Sequence, residues 1–262
     1  MDLGLRGKRA LVTGSTAGIG LAIAEALARE GAAVIVNGRT QGRVDAAVAA
    51  IRKGGGEVRG IAADLGSAAG AAQVVRQLPE VEVLVNNVGI FEPKAFAEIP
   101  DGDWLRMLEV NVMSGVRLSR AYLPGMVKRD WGRIVFISSE SAVQIPGEMI
   151  HYGVTKTAQV ALARGLAETT AGTRVTVNTV LPGPTWSEGV GGFVENLARA
   201  QKTDAATVEK EFFKSMRPSS LLKRFITPEE VAAMVAYVCG EVSSATNGAA
   251  LRVDGGVVRA IL

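Results

Sequence analysis

Seven short runs rich in β-branched and other apolar residues punctuate this chain, at 9–13, 32–37, 57–62, 82–86, 133–138, 174–181 and 249–253, with helical patterns between them. The runs are apolar along most of their length and do not alternate with polar residues, which is the mark of strands covered on both faces. Helices between the strands supply that cover. The segment 19–28, rich in Ala, Ile and Leu, is a strong helix former that stops at Gly31. Strand, helix and strand in succession close by a right-handed crossover. The expected fold is therefore an α/β, doubly wound parallel sheet of about seven strands flanked by helices, with ligands lying across the carboxyl ends of the strands.

The 262 residues, 48% hydrophobic and 21% charged, suffice for one sizeable domain, and no linker, composition break or repeat divides 1–262. The net charge of +3 is spread without blocks of like sign, so no nucleic acid is expected as a partner. No stretch approaches the about eighteen apolar residues of a membrane span, and no apolar leader precedes the first strand. Cys239 stands alone in an apolar run, the setting of a buried thiol. A soluble, cytoplasmic protein is the expectation, and one histidine with one cysteine leaves no metal site to expect. The segment 186–222 breaks the pattern with amphipathic stretches around Gly191-Gly192, and reads as a substrate lid. Phe193, Phe212, Phe213 and Met216 within it either line an apolar pocket or pack the lid on its own domain, which tilts the reading slightly toward an apolar substrate. Thr227-Pro228-Glu229-Glu230 reads as a helix cap, a proline in the first turn and two acids at the positive end.

Directly after the first run comes Thr13-Gly14-Ser15-Thr16-Ala17-Gly18-Ile19-Gly20, and directly after that the helix. Gly14 permits a tight turn, Gly18 lets the backbone approach a pyrophosphate, and Gly20 lets helix and strand pack closely. The helix N-terminus offers amides and partial positive charge to phosphate. An ordinary strand-to-helix connection would also use glycine, but the place between first strand and first helix favours a Rossmann-type dinucleotide site. Such sites commonly carry an acid at the end of the second strand for the adenosine ribose hydroxyls. Gly38 stands there instead, and Arg39, read as the one basic side chain at that end, could pair with a 2′-phosphate. NADP(H) is favoured over NAD(H) on that ground, with a solvated loop residue as the alternative role of Arg39.

Tyr152 and Lys156 are four apart in a segment, 153–168, that reads as helix, so both project from one face. A phenol of pKa about 10 is a poor base near neutrality, and a neighbouring ammonium stabilises its phenolate. Such a pair can protonate a developing alkoxide or take the proton of an alcohol. His151 adjoins Tyr152, but helix neighbours point about 100° apart, so it is expected to face the substrate mouth or a subunit contact.

These motifs together resemble those of the classical short-chain dehydrogenase/reductase family. Residues 13–20 match its TGxxxGIG, Asn86-Asn87-Val88-Gly89 is similar to its NNAG, and residues 152–156 to its YxxxK. Asn111, Ser139, Pro182-Gly183 and Arg252-Val253-Asp254-Gly255-Gly256 follow in the family's order across nearly the whole chain. The resemblance implies an NAD(P)-dependent oxidoreductase that moves hydride between cofactor and a carbonyl or secondary alcohol, such as a 3-oxoacyl thioester or another small ketone. It implies that Ser139 holds the substrate oxygen, that Asn111 helps to position a water linked to the lysine, and that Lys156 also bonds the nicotinamide ribose. Ser15, Thr16 and Ile19 would complete the phosphate turn, and Asp64, with Leu65 beside it, would accept from the adenine amine, a turn or cap acid being its other role. Asn87 would touch the cofactor or tie neighbouring loops together, and Gly89 would let the backbone pass close to the ribose. Pro182, Gly183 and Thr185 would hold the nicotinamide. Ala17 stands where many members have a second basic residue. A non-catalytic dinucleotide-binding regulatory or structural subunit is the alternative function. The family's habit implies a homotetramer or homodimer, with the apolar residues 260–262 as a candidate contact.

Overall fold

The computed structural model describes residues 1–201 and 203–261, without the side chains of residues 188, 189, 193, 197 and 201. Seven strands form one sheet: β1 (Arg9–Val12), β2 (Ala33–Gly38), β3 (Val58–Ala62), β4 (Val83–Asn86), β5 (Gly132–Ile137), β6 (Val175–Pro182) and β7 (Ala250–Val253). Their order is β3-β2-β1-β4-β5-β6-β7, and every neighbouring pair is parallel. Each expected strand is present within about a residue of its expected ends, because a run buried on both faces leaves the hydrophobic effect no other way to bury it.

Side chains alternate across the sheet and so belong to two cores. On one side Val12, Val34, Val36 and Val85 pack under α1 (Gly18–Arg29), α2 (Gln41–Lys53) and α9 (Pro228–Cys239). On the other, Leu11, Ile35, Leu84 and Phe136 meet α3 (Ala68–Gln77), α5 (Ser114–Lys128) and α6 (Ile150–Glu168). Cys239 is fully buried in the first core, and burial pushes its thiol up to about 12, which makes it an inert filler. The helix α1 ends as expected before Gly31, whose φ of 83° turns the chain into β2. At the start of α9, Thr227 Oγ1 accepts the Glu230 amide at 3.3 Å while Glu230 Oε2 accepts the Thr227 amide at 2.8 Å, a capping box.

Between the sheet's helices lies one shorter element, α4 (Asp101–Leu108), which runs into α5 through a π-helical turn, Glu109–Met113. The segment 186–222 folds as α7 (Glu188–Gln201) and α8 (Ala205–Ser215). Val194, Ala198, Val208 and Phe213 of these helices form a small core of their own with Phe225. Phe212 stacks on Phe225 at 5.1 Å, so Phe212 and Phe213 serve the segment's own packing instead of lining a pocket. Met216 is exposed, and the side chain of Phe193 lies outside the described residues. At the C-terminus Ile261 is exposed, and Leu262 lies outside the described residues.

Close packing between β1 and α1 depends on Gly20. A Cβ there would lie 2.4 Å from the Gly14 carbonyl oxygen and 2.5 Å from Asn87 Nδ2, both held in place by backbone. Gly20→Ala is expected to lower the unfolding free energy by about 1–3 kcal/mol, read by chemical denaturation against the parent.

Candidate active site

The glycine turn is fastened from outside itself. Thr13 Oγ1 accepts the amides of Asn87 and Val88 at 2.8 and 3.1 Å and donates to the Val85 carbonyl. Asn87 Nδ2 donates to the carbonyls of Thr13 and Gly14 at 2.9 and 3.1 Å. The Asn87 amide is thus spent on joining two loops, and only the rest of that residue faces the crevice. Gly14 and Gly18 take φ of 60° and 54°, open to glycine and costly for other residues. Ser15 departs from its expected place among the phosphate-binding groups. It is fully buried, its Oγ donates to the Val12 carbonyl at 2.6 Å and accepts the Asn37 amide, and its own amide goes to the Asn37 carbonyl. With both polar groups committed, Ser15 braces β1 against β2, and the groups the turn presents are Thr16 and the first-turn amides of Gly18, Ile19 and Gly20.

A crevice of about 610 Å³ opens beside this turn, lined by Gly14, Thr16, Arg39, Asp64, Asn87 and Gly89 among others. Asp64 is exposed to it and holds the Gly66 amide through Oδ1 at 3.0 Å, whereas the Leu65 side chain belongs to the core and offers only backbone. A Cβ on Gly38 would lie 2.4 Å from Thr16 Cγ2, so an acid could not replace this glycine unless Thr16 moved. Arg43, in the first turn of α2, lines the same crevice, so Arg39 is not the sole basic side chain there. A Cβ added to Gly89 would sit 3.5 Å from both Lys156 Nζ and Asn111 Oδ1, which means bare backbone faces the lysine. The shape, the glycines and the donor set fit a dinucleotide. Pro182 and Gly183 are buried at the end of β6, with the Gly183 amide on the Val253 carbonyl. Thr185 is buried as well, and its hydroxyl is given to the Gly183 carbonyl at 2.9 Å, so it shapes the turn with its side chain and has backbone left to offer.

Ser139, Tyr152, Lys156 and Asn111 come together between β5, α6 and the π-helical turn. Lys156 Nζ donates to the Ile137 carbonyl at 2.9 Å and to Gln159 Oε1 at 3.2 Å, and lies 5.5 Å from the centre of the Tyr152 ring. Burial alone brings this lysine down to about 7. Burial raises the Tyr152 phenol above its ordinary value, with the Glu140 charge adding to it, against a lowering by the Ser139 hydrogen bond and Arg217. Asn111 is fully enclosed, its amide bonded to both backbone groups of Ile90 and to Thr155 Oγ1. Sequence reasoning missed Glu140. This buried carboxylate accepts from Ser139 Oγ at 2.5 Å and is paired at 3.2 Å with Arg217, which also reaches Glu148. An acid directly after the candidate serine was the available signal.

His151 faces neither a substrate mouth nor the surface. It is fully buried, edge to face with Trp104 at 5.9 Å, because its position on the first turn of α6 points it at α4. Among the described residues no group of three or more His, Cys, Asp and Glu could hold a metal, and no helix is long and apolar enough to cross a membrane.

A doubly wound sheet with this crevice at the reversal of its strand order, and a tyrosine and lysine beside it, defines a dinucleotide-dependent oxidoreductase acting on alcohol and carbonyl groups. The sequence profile of short chain dehydrogenases matches residues 8–197, and the chain belongs to that family. It is 48% identical over 263 residues to an uncharacterized oxidoreductase of Bacillus subtilis (strain 168), YvaG, each covered in full. It is 35% identical to the D-beta-hydroxybutyrate dehydrogenase of Cupriavidus necator, over 97% of this chain and 99% of that one. The crystal structure of the L-sorbose reductase of Gluconobacter frateurii with NADPH and L-sorbose superposes with a TM-score of 0.94 at 31% identity, over the whole of both chains.

The buried lysine ties stability to pH. Its pKa is about 7 in the folded protein and 10.5 ordinarily, so between those values the unfolded chain binds the proton more tightly. Stability from this group is present above the higher value and is lost as pH falls through the lower one. From pH 7 to 9, the cofactor-free parent should gain about 1 kcal/mol per pH unit over Lys156→Met. Denaturant unfolding of both proteins across that range gives the slope, and parallel curves would contradict it.

Proposed function

We propose that this enzyme is an NADP(H)-dependent reductase of a small, hydroxylated ketone, working through Tyr152 as the proton donor. The observation that carries the reading is the Tyr152 phenol hydrogen-bonded to Ser139, with Lys156 Nζ 5.5 Å from the centre of its ring. The dinucleotide, when bound, supplies or takes the hydride. Gly14, Thr16, Gly18, Ile19 and Gly20 would hold its phosphates, Asp64 its adenine, Gly89 and Lys156 the ribose next to the nicotinamide, and residues 182–185 the nicotinamide itself. Ser139 turns its hydroxyl from Glu140 to the substrate oxygen. Tyr152 gives its phenolic proton to that oxygen during reduction and accepts one during oxidation, and the positive charge of Lys156 offsets the penalty that burial sets on the phenolate.

Two charged groups beside the serine, Glu140 and Arg217, suit hydroxyl-bearing substrates better than the long apolar chain of a 3-oxoacyl thioester. This revises the tilt toward an apolar substrate, as does the internal packing of Phe212 and Phe213. The L-sorbose reductase is a relative of that kind. Intact candidate catalytic residues favour turnover over a purely structural or regulatory subunit. The protein would act in the cytoplasm as a homotetramer or homodimer, a second copy covering exposed apolar side chains such as Leu105 and Ile261.

Tyr152→Phe removes only the ionisable oxygen and should abolish turnover while leaving cofactor binding nearly intact. Lys156→Ala should lose turnover and weaken the cofactor too, and the double variant should be scarcely worse than either. NADPH oxidation over a panel of sugars, hydroxyketones, 3-hydroxybutyrate (in reverse) and acyl thioesters identifies the substrate for these assays. Substantial turnover by Tyr152→Phe would move the proton step to another residue.

For the cofactor, Arg39→Ala should weaken NADPH about tenfold or more and NADH little, the loss of one charge-assisted contact. Titration of both cofactors into both proteins decides it, equal losses counting against the 2′-phosphate role. The helices α7 and α8 act as the lid of 186–222, closing over cofactor and substrate to exclude water. Hydrogen exchange in both helices should slow in the ternary complex, and unchanged exchange would refute closure.

A further inference from the structure

Gln159 lies one turn beyond Lys156 on α6, pointing to the same side, and is only 1% exposed. Its amide is used at both ends. Oε1 accepts from Lys156 Nζ at 3.2 Å, and Nε2 donates to the Asn111 carbonyl at 2.5 Å. Asn111 sits within the π-helical turn, where the widened ladder frees carbonyls for outside donors. Its side chain is committed to Ile90 and Thr155, so its link to the lysine runs through its backbone carbonyl and the glutamine. A neutral amide alone among side chains of this length accepts from a cation with one end and donates to a carbonyl with the other, without adding charge.

We propose that Gln159 is a positioning residue for the reaction: it anchors the Lys156 ammonium between β5 and the π-helical turn and helps to keep it charged where burial excludes water. This rests on the role given to Lys156 above. The groups around the ammonium make the glutamine matter. Tyr152 is the titratable neighbour on its own helix, Glu140 and Arg217 lie beyond the phenol, and Asn111 and Gly89 face it without charge. With burial already drawing the lysine down to about 7, loss of one of its two acceptors empties the charged form further at neutral pH.

Two variants test this. Gln159→Met keeps the length and removes both polar ends, and Gln159→Glu restores an acceptor for the lysine. The first reading is the titration of Lys156 by NMR in cofactor-free protein carrying isotope-labelled lysine, its signal assigned by loss in Lys156→Met. Gln159→Met should move the midpoint about one unit lower, and Gln159→Glu, which sets a carboxylate in the place of the amide acceptor, should raise it above the parent value. The second reading is turnover on the substrate found by the panel. Gln159→Met should lose about tenfold in kcat with KM changed little, its high-pH limb displaced in step with the titration, and Gln159→Glu should recover part of the loss. A folded Gln159→Met with parental midpoint and parental kcat would overturn the proposal. If that variant fails to fold, an unmoved midpoint in Gln159→Glu does the same. Because the titration needs neither cofactor nor substrate, its result is separable from failure of the proposed activity, which the panel reads in the parent.

Discussion

Strands β1 and β4 are neighbours in the sheet, yet the chain leaves them in opposite directions, toward β2 and toward β5. The connections that follow the two strands therefore diverge and cannot pack over one another, and a crevice at their carboxyl ends is the geometric result. Everything at the site is arranged along that seam. The glycine turn follows β1, Gly89 follows β4, and Ser139 follows β5 one strand further on. What keeps the seam open without letting it drift is a set of short polar ties across it, from Thr13 and Asn87. These ties use up donors that a ligand might have taken, and in return they fix the backbone to which a ligand binds.

A second constraint is the enclosure of charge. Lys156 and Glu140 are buried, with Tyr152 half-buried beside them, and both charged groups are given partners that limit the cost. The lysine has a carbonyl and an amide, the glutamate has a hydroxyl and a guanidinium. Such an environment strengthens every electrostatic contact made inside it, so modest displacements of one charge are felt by the next. The proton transfer proposed for Tyr152 would rely on that coupling to offset the rise that burial imposes on its phenol.

The sheet was legible because burial on both faces writes itself into composition: a run such as 174–181 has few other ways to fold. Tyr152 and Lys156 were legible as a pair because helical spacing puts them on one side. Harder to read were residues whose meaning depends on contacts far away in sequence. Ser15 looks like a phosphate ligand until Asn37, 22 positions later, is seen to claim its hydroxyl. Gln159 looks like any polar residue of a long helix, since its partner at Asn111 is 48 positions back. His151 was misread for the opposite reason. Its direction followed correctly from helix geometry, but what stands in that direction, Trp104, belongs to a helix whose packing no local pattern reveals.

The π-helical turn Glu109–Met113 has a consequence for how this site can change over time. Such a turn is an α-helix carrying one residue too many. Deleting one of the five would return the stretch to an ordinary helical turn and leave α4 and α5 in their present phase, with Leu118 and Tyr122 still on the buried side. What would be lost is the local opening in which the Asn111 carbonyl accepts from Gln159. The length of this stretch is thereby tied to the wall behind the lysine and not to the seating of α5, so descendants of the chain could rework that wall by a single deletion without unseating the helix that follows.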